Sequence, residues 1–163
     1  MIKRHMVGIA LATALALAAG SAWSASNDCG RVGTWFGATP GGFSWLGTDT
    51  PGMSATTGQM SLEWVAVPAT LFIAGANHVT GAKGIWQKIK QGEYEFSWTA
   101  YGVNTNPPQT PIYRLRVSGL VTHTDCNNAN ISYTIELFIP PSASIPFQAI
   151  MDGTGTETRM LLP

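Results

Sequence analysis

Beyond residue 58 the chain alternates apolar and polar residues with a period of two. Met60, Leu62, Trp64 and Ala66 alternate with Ser61 and Glu63, and Tyr94, Phe96, Trp98 and Ala100 with Glu93, Glu95, Ser97 and Thr99. Tyr113, Leu115, Val117, Gly119 and Val121 alternate with Arg114, Arg116, Ser118 and Thr122. Ile131, Tyr133, Ile135, Leu137 and Ile139 alternate with Ser132, Thr134 and Glu136. Successive side chains of a strand point to opposite faces, so each run predicts a strand with one apolar and one solvated side, as in antiparallel sheet.

Turn chemistry separates the runs: Pro40-Gly41-Gly42, Pro51-Gly52, Gly81, Gly92, Asn104 to Pro108 and Asn127-Asn128. The pattern predicts eight strands, at about 31–38, 43–48, 59–67, 79–90, 93–103, 112–124, 130–139 and 154–162. Gly81 and Gly84 predict a bulge or tight bend in the fourth. Residues 140–155 read as a loop or a short helical turn, and no stretch of the mature chain has a convincing helical period. Eight short consecutive strands predict an all-β fold, an eight-stranded antiparallel up-and-down barrel, in which closure removes exposed sheet edges.

The first residues follow another pattern. Lys3, Arg4 and His5 precede an uncharged apolar run, Met6 to Ala19, and then small residues through Ala25. That order predicts a secretory signal peptide over 1–24 and a single domain over 25–163, secreted or periplasmic. The apolar run is shorter than the roughly 20 residues that span a bilayer. Outward-facing Arg114, Arg116, Glu93, Glu95 and Glu136 argue against membrane insertion of the mature chain as a barrel.

The whole chain of 163 residues has nine Lys+Arg and nine Asp+Glu. Loss of Lys3 and Arg4 with the leader leaves seven bases against nine acids, a net charge of −2. So sparse and mildly acidic a surface excludes nucleic acid as a partner. The only two cysteines, Cys29 and Cys126, are both in the mature part, stand 97 positions apart and form no C-x-x-C, so a structural disulfide is expected.

Near the mature N-terminus stands Arg31-Val32-Gly33-Thr34-Trp35, and near the C-terminus Thr158-Arg159-Met160. A Gly-x-Trp that opens the first strand, with a basic residue on the last, resembles the signature of the calycins, the barrels of lipocalins and avidins. The resemblance implies that Trp35 packs at the closed end of a lipocalin-like barrel under the guanidinium of Arg159, a cation–π contact. It also implies a small apolar ligand. The Thr-Asp-Tyr-like motif and the flanking helix of lipocalins are absent from this sequence.

Candidate chemistry is sparse. There is no G-x-S-x-G, H-E-x-x-H or phosphate-binding loop. His78 and His123 are the only histidines of the mature part, and with Asp125 they lack a third ligand at metal-binding spacing, so no metal or cofactor is implied. Aromatics are the remaining signal. Tyr94, Phe96, Trp98, Tyr113, Leu115, Tyr133 and Ile135 are in phase on three consecutive strands and are expected to point into one interior as a ligand-binding wall. Small Ala100, Gly102 and Gly119 are expected to mark its wider mouth. The expected function is binding of a small apolar ligand. The alternatives are an isomerase or cyclase resembling allene oxide cyclases or dirigent proteins, and a solid-core structural or inhibitory module.

Overall fold

Each alternating run forms a strand, and hydrogen bonding between neighbours closes the set. The computed structural model describes residues 29–68, 71–73, 75–106 and 110–161 and, for 148–150, the backbone alone. The leader read over 1–24 lies outside the described residues. The strands are β1 (Gly33–Ala38), β2 (Ser44–Pro51), β3 (Thr57–Ala66), β4 (His78–Val79) and β5 (Ala82–Lys90). They continue as β6 (Glu93–Asn104), β7 (Thr110–His123), β8 (Asn128–Phe138) and β9 (Gln148–Arg159). All pairings are antiparallel, and β1 meets both β2 and β9, so β1, β2, β3 and β5 to β9 form a closed eight-stranded barrel. That architecture is compatible with a calycin-like fold. β4 adds two residues beside β6, pairing His78 with Val103 and Val79 with Gly102.

The fourth expected strand is thus divided at Thr80-Gly81. The Thr80 N–H donates to the Tyr101 carbonyl, and the Thr80 hydroxyl accepts from the Tyr101 N–H at 3.0 Å, where a ladder bond would otherwise run. A Cβ at Gly81 would lie 2.9 Å from the Leu62 backbone carbonyl oxygen as well as from the Glu63 carboxylate, so glycine is favoured there. The last strand differs more. It begins at Gln148, within the segment expected to be a loop or helical turn, because β8 continues through Phe138 and its outer hydrogen-bonding edge is paired from Leu137 onward. Gly153 and Gly155, on the inward phase of β9, had hidden the alternation. That strand also stops at Arg159 and does not reach 162.

The inward faces make one core. The apolar inward residues of β6, β7 and β8 are buried, Tyr133 only in part, together with Met60 and Leu62 of β3 and Trp86 of β5. Bulky rings fit because most lie over a glycine directly across the ladder. The pairs are Trp45 with Gly37, Trp86 with Gly58, Trp98 with Gly84, Tyr113 with Gly102 and Tyr133 with Gly153. A Cβ on any of these glycines would collide with the facing aromatic residue. Here the small residues receive rings and do not mark a mouth, which corrects the expectation for Gly102. Gly119 is likewise filled, since a Cβ there would meet the backbone of Ser132 and Tyr133 and the ring of Phe96.

Both ends are covered. At the crown, Leu71 is buried in the core and accepts a hydrogen bond from the Tyr113 hydroxyl. At the base, where the described chain starts, Cys29 is bonded to Cys126 with Cα atoms 4.8 Å apart. That disulfide ties the first residues to the β7–β8 turn. Two outcomes follow. Gly102→Ala should destabilise the fold by about 1–3 kcal/mol, because the Tyr113 ring would have to leave its place. Replacing Cys29 and Cys126 together by Ser should remove about 2–4 kcal/mol, since the bridge closes a loop of nearly a hundred residues. Urea unfolding at constant pH measures both.

Candidate functional site

The base of the barrel is built around a tryptophan and three buried charges. Trp35 opens β1 on the inward phase and is completely buried. Its indole N–H donates to the Arg31 carbonyl at 2.8 Å, which folds the preceding residues back beneath the barrel. The Arg159 guanidinium lies 4.6 Å from the Trp35 ring centre, and that of Arg31 lies 5.0 Å away. Trp35 and Arg159 are also a direct pair in the β1–β9 ladder. Arg159 is half-buried and donates to the Gly30 carbonyl.

Arg31 turns inward and is only 2% exposed. Its Nε meets Asp49 at 2.7 Å, and its Nη1 donates to Glu157 Oε2. Both acids are buried as completely as the arginine, and the other Glu157 oxygen accepts from Trp45 Nε1 at 3.1 Å. Burial disfavours the Arg31 charge, but Glu157 and Asp49 outweigh it and raise the pKa above its ordinary value. Asp49 behaves oppositely. Burial pushes its carboxyl up to about 7, against the pull of Arg31 and with the help of the Glu157 charge. Asp49 Oδ1 has no hydrogen-bond partner among the described residues.

Tyr94 and His123 complete the base. Tyr94 donates to the Cys29 carbonyl at 3.2 Å and stacks at a tilt on His123, which also faces Trp35. Burial, and then the positive charges of Arg31 and Arg159, lower the His123 pKa. His78 is at the crown end of β6 and His123 at the base, so the two cannot share a ligand. Asp125 instead caps the β7–β8 turn, accepting from the backbone N–H groups of Asn127 and Asn128.

Above this base lies an apolar chamber with Arg31 and Glu157 on its floor. The space open to the centre of a water molecule is about 30 Å³, room for about two waters. Phe96, Trp98, Tyr133 and Ile135, expected as a binding wall, do line it. Tyr94, Tyr113 and Leu115 do not border it: Tyr94 belongs to the base, Tyr113 to the crown and Leu115 to the packed core. They share the inward phase with the others, but their height along the barrel takes them elsewhere. The opposite wall is Phe43, Trp45, Met60, Leu62 and Trp64. Trp45 and Trp64 face each other across the β2–β3 ladder. The alternation on β3 already signalled part of that wall. The inward phase of Trp45, Gly47 and Asp49 would have signalled the buried acid.

Removing one member of the charged set leaves its partners buried and unpaired. Arg31→Met should therefore destabilise the protein by about 3–5 kcal/mol, whereas Arg31→Met with Asp49→Leu and Glu157→Leu should recover much of that loss. Arg159→Lys, which keeps charge but loses the planar cation over Trp35, should lose about 0.5–2 kcal/mol. Chemical denaturation of the four proteins decides these outcomes.

Comparison with family models, with curated proteins and with solved structures returns no match to this chain. What can be said of its kind rests on the closed eight-stranded barrel and the two ends that seal it.

Proposed function

We propose that the protein is an exported binding protein, lipocalin-like in design, whose barrel chamber takes a small uncharged apolar molecule. The observation that carries this reading is the convergence of Phe43, Trp45, Met60, Trp64, Phe96 and Trp98 on one void. Three of the polar side chains that border it are already engaged: Trp45 with Glu157, Trp64 with the Thr80 carbonyl, and Arg31 with the two acids. Its two charged lining residues, Arg31 and Glu157, are paired with each other, which disfavours a ligand with a charged head. Trp35 beneath Arg159 supports the calycin resemblance, and the Cys29–Cys126 bridge suits a non-reducing compartment.

A void of about 30 Å³ is far smaller than ordinary ligand pockets of roughly 300–1,000 Å³. Binding must therefore displace side chains. Met60 is unbranched and adapts readily. Phe43 follows the Pro40-Gly41-Gly42 turn, in which Gly42 adopts φ +88°. Micromolar affinity is the most that such a site would reach, because reorganisation offsets part of the apolar burial.

The small void and the plugs at both ends favour a second reading, a solid-core scaffold that acts through its outer surface. The enzyme alternative has inward carboxylates in Asp49 and Glu157, but both are engaged with Arg31 below the chamber. Titration of the mature chain with naphthalene, limonene and a medium-chain fatty acid separates the readings. The neutral probes should change tryptophan emission and raise the melting temperature, and Met60→Ala should tighten their binding by about tenfold through the added space. If no probe moves either signal in either protein, the solid-core scaffold replaces the binding protein.

A further inference from the structure

Outside the barrel, β7, β8 and β9 present their solvent phase in rows matched across the ladder. Thr122 faces Asn130, which faces Thr156, and in the next row Leu120 faces Ser132, which faces Thr154. Members of a row stand about 5 Å apart and the rows about 7 Å apart, as strand geometry requires. Engaged pairs bound this block on both sides. Towards the crown the Thr134 hydroxyl donates to Asp152 at 2.6 Å, and towards the base Thr158 donates to Asn128 at 3.2 Å. Between them, the side chains of Thr122, Asn130, Ser132, Thr154 and Thr156 bond to no other described residue. Thr122 is half-buried and the other four are exposed.

The block forms one side of a groove. A Cβ at Gly155 would lie 2.7 Å from the Ala38 carbonyl oxygen, so the end of β1 closes directly on β9, and Thr39 and Pro40 of the following turn wall the groove. Its volume is about 690 Å³, within the roughly 300–1,000 Å³ of ordinary ligand sites. The described lining holds no Lys, Arg, Asp or Glu. An anion would meet no cation there, and a basic peptide no carboxylate. An apolar molecule would cover neutral polar groups without pairing them, which costs free energy. Each hydroxyl both donates and accepts, and the Asn130 amide does so from separate atoms. Leu120 and Pro40 add apolar surface beside them.

A ligand that fits this lining carries many hydroxyls, C–H faces and no charge. We propose that the groove over β7, β8 and β9 binds a neutral glycan. At Leu120 and Ser132 it runs into a second outer groove, of about 940 Å³, that extends to β5. Five strand spacings separate β1 from β5 along this path, about 24 Å, which is room for several sugar units. On the far side stand Ser97, Ser118 and the exposed Glu95, whose carboxylate accepts from two neighbouring hydroxyls of a sugar and repels an anionic one. Glu93 and Asp152 there are engaged with Lys90 and Thr134. This site lies on the outside of the barrel wall and stands whether or not the chamber takes a ligand.

The test uses the mature, disulfide-bonded protein and four neutral probes: cellotetraose, laminaritetraose, maltotetraose and N-acetylchitotetraose. Amide NMR titration should show at least one binding with a Kd of about 0.1–1 mM, weak because the uncharged groove has no aromatic ring to stack on a sugar. The shifts should centre on residues 120–122, 130–132 and 154–156. Thr154→Val with Thr156→Val removes two hydroxyls at exposed strand positions that favour valine. That variant should keep its melting temperature and lose at least about fivefold in affinity. Tetragalacturonate, with a carboxylate on every sugar, should not bind. The proposal is overturned if no neutral probe shifts any amide at about ten times the expected Kd, or if the shifts centre elsewhere. Equal affinity in the double variant, or equal binding of tetragalacturonate, overturns it as well. Should the double variant fail to fold, Ser132→Ala gives the same reading.

Discussion

One guanidinium shared by two buried carboxylates organises the base of this barrel. Arg31 comes from the residues before β1, Asp49 from β2 and Glu157 from β9, so the set joins the beginning, an early hairpin and the end of the domain. Buried ion pairs add little net stability over well-packed apolar groups, because desolvation consumes most of the Coulomb attraction. What this set specifies is register. Glu157 reaches Arg31 and Trp45 only while β9 presents it inward, in the frame that pairs Trp35 with Arg159. A slip of one residue would turn every inward side chain of β9 outward and leave Arg31 buried beside Asp49 alone. Closure of a barrel requires its last strand to find its first, and here electrostatics select the frame in which it does so.

The interior is governed by a second constraint, the limited width of an eight-stranded barrel. Of the five tryptophans among the described residues, Trp35, Trp45, Trp86 and Trp98 are set against glycines on the neighbouring strand. Trp45 over Gly37, Trp86 over Gly58 and Tyr113 over Gly102 each use the space of a missing side chain. The core is therefore a set of interlocked ring–glycine pairs. A chamber of about 30 Å³ is what this packing leaves. Any ligand must compete with side chains already present.

The two ends differ in kind. The crown is sealed by neutral contacts, the Leu71 side chain and the Tyr113 hydroxyl, which burial pushes up to a pKa of about 12 and so keeps protonated. The base is sealed by charge. The neutral seal joins a hydroxyl to a carbonyl, whereas the charged seal sets two acids on one base, and burial pushes the Asp49 carboxyl up.

The class of fold was legible in the sequence. Alternation on β3, β6, β7 and β8 identified strands and their inward faces, because the pleat imposes a period of two on every strand that borders a core. The turns were legible from Gly, Pro and Asn, and an even number of cysteines pointed to Cys29–Cys126. β9 was only half visible, since Gly153 and Gly155 occupy inward positions where an apolar residue would have marked the strand. Phase also says nothing about height: Tyr94, Phe96 and Tyr113 share one face in sequence, yet the ladder sets them at base, chamber and crown. Only the tertiary structure brought Arg31, Asp49 and Glu157 together, because their contact depends on closing strands more than a hundred residues apart. Local pattern determines which way a side chain points, and the register of distant strands determines what it meets there.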